Sequence, residues 1–255
     1  MEFKNTESFI KEDFLLQNKT AHRLYFEYAK DISIIDYHNH LSPNLIASNE
    51  PFKSINQVWL DSDHYKWRAM RTLGIPEKFI TGEKTSNKDK FDQWANAVPQ
   101  LVGNPLFHWT HLELKRYFGI NNLLQPSTSK YIFEETNHQL KHLTPKSLLN
   151  EMKVEMLCTT DDPIDDLSNH KKINLSKDKC PSVLPGFRPD NIFGINGRHY
   201  LEYINNLSES SNTEISDLES LLMALKSRVD YFHQNGCRIS DPGLEFTHAR
   251  DFTLN

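Results

Sequence analysis

The sequence has little cysteine, and it has no long apolar run. Its three cysteines, Cys158, Cys180 and Cys237, form no CxxC pair, so we expect neither a disulfide framework nor a cysteine zinc site, and a reducing, cytoplasmic location. No stretch approaches the roughly 18 apolar residues of a membrane span. The first 16 residues alternate charged and apolar side chains, which is not the pattern of a signal peptide.

An excess of basic residues is also missing. The 255 residues carry a formal net charge of −5 with a pI near 6.2, and 25% of them are charged. Nucleic-acid-binding surfaces are normally basic, so neither nucleic acid nor a membrane is an expected partner. The apolar fraction of 38% is ordinary for a globular protein.

Strand-like and helix-like segments alternate along the chain. Apolar residues at helical spacing predict one or two short helices within Lys11–Lys30, with Thr20 as a cap, and a longer helix within Ser216–Gln234. Four short runs predict strands, the first of them buried: Ile32–His38, Val154–Thr160, Pro181–Leu184 and Cys237–Asp241. Strands that alternate with helices and end in polar residues are typical of a parallel α/β fold.

The segment between the first two strands reads as mostly helical from Asn44 to about Leu149. It is too long for an ordinary connection from one strand to the next. We therefore expect a helical subdomain inserted after the first strand, which divides the chain into residues 1–43, 44–150 and 151–255.

The pair His38 and His40 follows the first predicted strand. Because side chains on a strand alternate between faces, the two imidazoles point the same way and can share one metal ion. An HxH pair alone is a weak signal, since a chain with 12 histidines can contain one by chance. Its position at the carboxyl end of a strand, where parallel barrels place their active sites, favours the metal.

Two further groups can carry chemistry. His64 and Tyr65 stand at the start of a predicted helix and can transfer protons, although a solvated first turn with Trp67 buried explains them as well. Arg188 follows the third strand, and its guanidinium suits a substrate carboxylate, although many such arginines are surface residues.

Other polar residues are interpreted as structural. Asp161 and Asp162 precede a proline and fit a helix cap or a turn. His108 and His111 lack the four-residue spacing and the adjacent glutamate of an HExxH zinc site, so we expect packing roles for them.

Seven blocks in the order EDFLL, DYHNHLSP, DHYKWRAMRT, GNPLFHWTHLELKRYFGI, TTDDPIDDL, LPGFRPD and GCRISD resemble those of uronate (glucuronate) isomerases of the amidohydrolase superfamily. They cover Lys11 to about Asp241. The resemblance implies a partial (β/α)8 TIM-type barrel, of about strands 1–4, with a helical insertion after strand 1.

The resemblance also implies interconversion of D-glucuronate with D-fructuronate and of D-galacturonate with D-tagaturonate. The family's divalent metal, commonly zinc, maps onto His38 and His40, its catalytic histidine-tyrosine pair onto His64 and Tyr65, and its substrate-binding arginine onto Arg188. The expected partner is a small hexuronate, and a homo-oligomer stays open.

Two departures from the family pattern affect the activity. The family's metal-binding aspartate after the eighth strand has no counterpart in these 255 residues, and Pro242 stands where the family has a histidine. We therefore expect little activity from this chain alone. A metal-dependent hydrolase of the same superfamily and a non-catalytic remnant are the alternatives.

Overall fold

The computed structural model describes residues 8–244. Within them the strands are β1 Ile34–Asp36, β2 Val154–Cys158 and β3 Ser182–Leu184. The α-helices are α1 Lys19–Leu24, α2 Pro43–Ser48, α3 Ile55–Trp59, α4 His64–Thr72, α5 Asn87–Ala97, α6 Pro105–Phe118, α7 Ser129–Leu140, α8 Pro145–Glu151, α9 Ser168–Leu175, α10 Tyr200–Ser211 and α11 Leu218–Gln234. A π-helical turn, Tyr25–Ala29, extends α1, and 3-10 turns lie at Glu77–Phe79, Val98–Leu101 and Asp190–Phe193. In this range of the chain, no helix combines the length and the apolar character that a bilayer crossing requires.

The chain divides into two compact units. The helical unit comprises the residues up to Ile32 together with Glu50–Pro145. The sheet unit comprises Ser33–Asn49 together with the residues from Lys146 onward. The two units are therefore interleaved along the sequence rather than consecutive.

Two hydrogen bonds mark the boundaries of the long helical segment. Inside the helical unit, the N–H of Phe52 donates to the carbonyl of Leu143 at 3.3 Å. Inside the sheet unit, the N–H of Lys146 donates to Asn49 Oδ1 at 3.1 Å. The segment between residues 50 and 145 thus begins and ends at neighbouring points.

Helix α6 shows how the sequence sets the limits of a helix. The side chain of Asn104 accepts from the N–H of Leu106, and Pro105 occupies the first helical position, where its missing N–H costs nothing. Gly119 ends the helix in the left-handed region with φ 64°, a conformation that glycine adopts without a steric penalty.

The helical unit has one continuous apolar core. Trp59, Phe91, Trp94 and Leu114 are all buried, and the rings of Trp59 and Phe91 stack with centroids 6.3 Å apart. Full burial of one such side chain contributes about 1.5–3 kcal/mol, so this core dominates the stability of the unit.

The sheet unit is built on a parallel sheet in the order β1-β2-β3. Asp36 pairs with Leu157, and Leu157 pairs with Val183. Parallel neighbours need a crossover connection, and α9 provides it between β2 and β3. The expectation of an α/β fold with parallel strands is confirmed, as are the positions of β2, β3 and α11.

Strand β1 is not buried, contrary to the prediction. Ile34 is 48% exposed and Ile35 is 59% exposed. Among residues 8–244 the only strand beside β1 is β2, whereas parallel strands are normally covered on all sides. Ile34 and Ile35 therefore lie uncovered at the edge of the sheet, as far as residues 8–244 show.

The predicted fourth strand, Cys237–Asp241, is wrong as an element and is reduced to one bridge. Phe187 pairs with Ser240 in parallel, and the N–H of Asp241 donates to the carbonyl of Phe187 at 3.1 Å. The ladder stops there because Pro189 has no N–H to donate to the carbonyl of Asp241, and the N–H of Gly243 donates to the carboxylate of Asp190 at 2.6 Å instead.

The predicted cap of the first helix is also wrong. Thr20 lies inside α1, and Asn18 is the cap, with its side chain accepting from the N–H of Ala21 at 2.9 Å. Both residue types can cap, so the sequence alone did not separate these two positions.

Candidate active site

His38 and His40 lie together just beyond the end of β1. Their Nε2 atoms are 2.9 Å apart, and their ring centroids are 4.7 Å apart. Zinc–nitrogen bonds in proteins are about 2.0–2.1 Å long, so two coordinating nitrogens must lie within about twice that distance. The two imidazoles meet this requirement without rearrangement.

Asp241 completes this cluster. Its carboxylate is hydrogen-bonded to Nδ1 of His38, on the opposite side of the ring from His40. A carboxylate in that position holds the proton on Nδ1 and leaves the Nε2 lone pair available to a metal, as is common around metal-bound histidines. Sequence reasoning did not assign this role, although Asp241 ends a predicted strand and so belongs at the same edge of the sheet as His38.

The donor set within the described residues is small. Across residues 8–244 no three histidine, cysteine, aspartate or glutamate side chains converge as a metal site. His38 and His40 can therefore supply two ligands, with Asp241 as an orienting group rather than a third ligand. Two imidazoles at this separation fit a divalent cation that takes its other ligands from elsewhere.

Arg188 lies beside the segment that carries Asp241. Its Nε donates to Asp190 Oδ2 at 2.7 Å, and the guanidinium is partly exposed. A side chain added at Gly243 would place its Cβ 3.1 Å from an Arg188 Nη atom. The segment 241–243 thus contacts His38 at one end and lies near Arg188 at the other. Whether Arg188 faces the same cavity as the histidines stays a prediction.

Asp162 forms the turn that the structural interpretation expected, whereas Asp161 has structural contacts of another kind. Asp162 accepts from the N–H of Ile164, two residues on, which is a turn. Asp161 caps no helix. Its carboxylate is buried and accepts from the hydroxyl of Thr159 and the N–H of Gly186, because the segment after β3 continues alongside it.

His64 and Tyr65 form the first turn of α4 in the helical unit. Both are exposed, and their ring centroids are 4.5 Å apart. Tyr65 also lines a cavity of about 680 Å³, together with Arg68 and Trp109. His64 and Tyr65 therefore lie side by side. That they act on the same substrate as His38 and His40 stays a prediction.

A partly buried ion pair fixes the start of α4. Asp63 caps the helix through the N–H groups of Tyr65 and Lys66, and it also accepts from Lys66 Nζ at 2.7 Å. Burial opposes ionisation of Asp63, but Lys66 outweighs it and lowers the pKa of that carboxyl. Burial raises the pKa of the neighbouring Glu113, which accepts from Trp59 Nε1.

The motif around His64 is thus only half solvated. Lys66 is buried, whereas Trp67 is partly buried and donates its indole N–H to the carbonyl of Leu60. The alternative of a solvated first turn with Trp67 buried agrees with the exposure of His64 and Tyr65 and with the packing of Trp67 against the core, but it does not account for the burial of Lys66. Lys66 pairs with Asp63, and its charge also acts on the buried carboxylate of Glu113.

His111 has a packing role, as expected. Its Nδ1 lies 2.6 Å from the carbonyl of Phe107, and its Nε2 accepts from the N–H of Leu124 at 2.9 Å. An imidazole that donates at one nitrogen and accepts at the other is neutral. Burial agrees with this, since it lowers the pKa of His111.

Comparisons with known proteins agree on one family. The sequence model described as glucuronate isomerase matches residues 6–254. Uronate isomerase of Oceanobacillus iheyensis is 48% identical over 238 residues, which are 92% of this chain and 50% of that protein. Uronate isomerase of Caldicellulosiruptor bescii is 48% identical over 237 residues, which are 93% of this chain and 51% of that protein.

Solved structures give the same result. The crystal structure of uronate isomerase from Thermotoga maritima superposes with a TM-score of 0.87 at 39% identity, covering 92% of this chain and 52% of that one. Glucuronate isomerase from Caulobacter crescentus, at 24% identity, shares the fold with a TM-score of 0.86. The chain spans about half the length of the curated relatives it matches, and it belongs to the glucuronate isomerase family.

Proposed function

We propose that this chain supplies part of the active site of a hexuronate aldose–ketose isomerase. The expected reactions interconvert D-glucuronate with D-fructuronate and D-galacturonate with D-tagaturonate. The observation that carries the proposal is the pair His38 and His40, with Nε2 atoms 2.9 Å apart, in a chain whose relatives are uronate isomerases.

His38 and His40 would hold a divalent cation, with zinc as the first candidate. A bound cation would stabilise negative charge on the oxygens of the enediolate that forms between C1 and C2. Asp241 would orient His38 through its Nδ1. The chain's own contribution is thus a pair of imidazole nitrogens that already lie 2.9 Å apart.

His64 and Tyr65 are the proposed proton carriers. The isomerisation removes a proton from one of the two reacting carbons and returns a proton to the other, so it needs a base and an acid within reach of both. The two side chains are adjacent and exposed. They can therefore contact a sugar without a change in the backbone.

Arg188 is the proposed anchor of the sugar-acid carboxylate. In the Arg188–Asp190 pair, Asp190 accepts a hydrogen bond only from Nε of Arg188. A guanidinium has five N–H donors. A substrate carboxylate would share the cation with Asp190, which already holds it in place.

We further propose that the sheet unit is part of a (β/α)8 barrel and that residues 44–150 are an insertion after its first strand. Support comes from the parallel order β1-β2-β3, from the exposure of β1, and from the length of the relatives. The outer ends of the predicted segments 1–43 and 151–255 lie outside the described residues.

A second candidate is a chain without activity of its own. It is favoured by the two-ligand donor set within residues 8–244, because catalytic zinc sites usually have three protein ligands. It also agrees with the expectation from the sequence.

Metal content and turnover test both candidates. The purified 255-residue chain, supplied with zinc or manganese, should bind close to one metal ion, and His38→Asn with His40→Asn should abolish that binding. Turnover of D-glucuronate is measured beside the Oceanobacillus iheyensis enzyme. Comparable rates support a self-sufficient isomerase, and metal binding with at most about 1% of that rate supports the incomplete site. Hydrolysis of a lactone or amide would contradict both.

A further inference from the structure

Three buried side chains form a continuous hydrogen-bond chain at the end of β2, apart from the histidine pair. Thr159, Asp161 and His170 are each less than 5% exposed. The hydroxyl of Thr159 donates to Asp161 Oδ2 at 2.6 Å and lies 2.8 Å from His170 Nε2. A hydroxyl has one proton, so its oxygen must accept from the imidazole. The chain therefore runs from the Nε2–H of His170 through Thr159 to Asp161.

Asp161 connects these hydrogen bonds to the segment that carries Arg188. Its Oδ2 accepts from the N–H of Gly186 at 3.1 Å, and its own N–H donates to the carbonyl of Gly186 at 2.9 Å. Its carbonyl accepts from the N–H of Arg188 at 2.9 Å. One residue therefore holds both Gly186 and Arg188 by the backbone.

Gly186 makes this close approach possible. A Cβ at this position would overlap the carbonyl oxygen of Thr159. The segment after β3 therefore lies directly against the end of β2, and any larger residue at 186 would push it away.

His170 is difficult to explain by packing alone. Its Nδ1 is buried and has no hydrogen-bond partner within the described residues, and a buried polar atom left unpaired costs about 1–3 kcal/mol. Burial lowers the pKa of His170 and raises that of Asp161, with the charge of Asp165 acting on both. A neutral ring with its proton on Nε2 fits these surroundings. The hydrogen bond that this Nε2–H donates to Thr159 explains why a histidine stands at position 170.

We propose that Thr159, Asp161 and His170 are positioning residues, which fix the backbone of residues 186–188 and thereby direct the guanidinium of Arg188. The inference rests on the proposed role of Arg188 as the carboxylate anchor. The three residues act through the backbone, while Asp190 holds the guanidinium itself.

A matched pair of substitutions separates positioning from packing. Thr159→Val keeps the shape and removes the hydroxyl, whereas Thr159→Ser keeps the hydroxyl and removes a methyl group. In the 255-residue chain, Val should speed amide exchange of Gly186 and Arg188 about tenfold, and Ser should change it less than about twofold, since a buried hydrogen bond contributes about 1 kcal/mol. Thr136→Val, which removes a buried hydroxyl bonded to Ile132, should leave these amides unchanged.

Two results would overturn the proposal: exchange in Thr159→Val equal to the wild type, or damage from Ser as large as from Val. If Thr159→Val fails to fold, the wild-type chain still decides. The ¹⁵N resonances of His170 should show a neutral ring protonated at Nε2 at pH 7, and a charged ring or a proton on Nδ1 would contradict the chain of donors.

Binding of D-glucuronate separates this inference from the proposed function. Thr159→Val should weaken binding about fivefold to tenfold, and Thr159→Ser should restore it, because only the direction of Arg188 changes. A wild-type chain that binds no D-glucuronate would overturn the role of Arg188 as anchor. The exchange rates would then still decide whether the three residues position the segment.

Discussion

The two units differ in how completely their apolar residues are buried. In the helical unit, a single core encloses large side chains such as Trp59, Phe91 and Trp94. In the sheet unit, the apolar clusters are smaller, and Ile34 and Ile35 of β1 stay exposed. The helical unit thus finds its packing partners within the described residues, whereas β1 does not. The difference teaches that the helices of the helical unit close one large core among themselves, whereas the edge strand of the sheet stays uncovered within residues 8–244.

The largest expected effect is a cavity in the helical core. Phe91→Ala should lower the free energy of unfolding of the helical unit by about 3–5 kcal/mol, because Phe91 is fully buried against Trp59 and Phe133. All four tryptophans lie in Glu50–Pro145, so denaturation followed by tryptophan fluorescence reports this unit. Ile35→Ala in β1 should cost less than about 0.5 kcal/mol, measured by denaturation followed by far-UV circular dichroism, because the tryptophans do not report the sheet unit. If Phe91→Ala and Ile35→Ala lowered the free energy of unfolding by the same amount, the contrast between the two units would be wrong.

The next effect concerns the buried cation of the helical unit. Lys66→Met leaves Asp63 and Glu113 without their shared cation, and breaking a fully buried pair costs about 3–5 kcal/mol. Because Asp63 is partly exposed, we expect about 2 kcal/mol, measured by the same fluorescence. Lys88→Met removes a more exposed pair with Asp92 and should cost less than about 1 kcal/mol. A loss from Lys66→Met no larger than that control would show that the pair is solvated.

Acid should weaken the helical unit through His111. Its pKa is lowered by burial, so its stabilising effect is present above the unfolded pKa near 6.5 and is lost as the pH falls through the folded value. Between pH 7 and pH 5 the wild type should lose about 1 kcal/mol more than His111→Phe, which cannot titrate. The exposed His138→Gln should keep the wild-type slope. An unchanged slope in His111→Phe would assign the acid sensitivity to other groups.

The smallest effect on stability is expected at the open strand. Ile35→Lys should change the free energy of unfolding by less than about 0.5 kcal/mol and should reduce self-association of the isolated chain, because a charge on an exposed strand opposes edge pairing. Leu175→Lys, at another exposed apolar position of the sheet unit, is the control and should leave association unchanged. Sedimentation velocity measures the self-association of both variants. A destabilisation above about 1 kcal/mol would show that β1 is covered after all.

Short sequence patterns predicted those elements of the fold that depend mainly on neighbouring residues in the sequence. The strands β2 and β3 and the helix α11 were placed from short apolar runs and caps. The exposure of β1 was not predictable in this way, because burial depends on which strand lies beside it. The loss of the fourth strand depended on one amide, that of Gly243, finding the side chain of Asp190.

The candidate site likewise contains some residues that the sequence predicted and others that only the fold revealed. The proximity of His38 and His40 was predicted from the alternation of side chains along a strand, although both residues lie beyond the end of β1. The contact of Asp241 with His38 joins residues from opposite ends of the chain, so only the fold reveals it. His170 carried no signal in the sequence, since it lies in an ordinary helix and acts through Thr159.

The paired bonds at the ends of the helical segment also bear on the folding order. β1 must find β2 across the whole of residues 50–145, which is a long loop to close. Once Phe52 and Leu143 are joined, the loop between β1 and β2 shrinks from 117 residues to 27, which lowers the entropic cost of its closure by about 1 kcal/mol. Folding of the helices would then precede strand pairing and promote it, so the helical segment would act as the nucleus for a sheet that it interrupts in sequence.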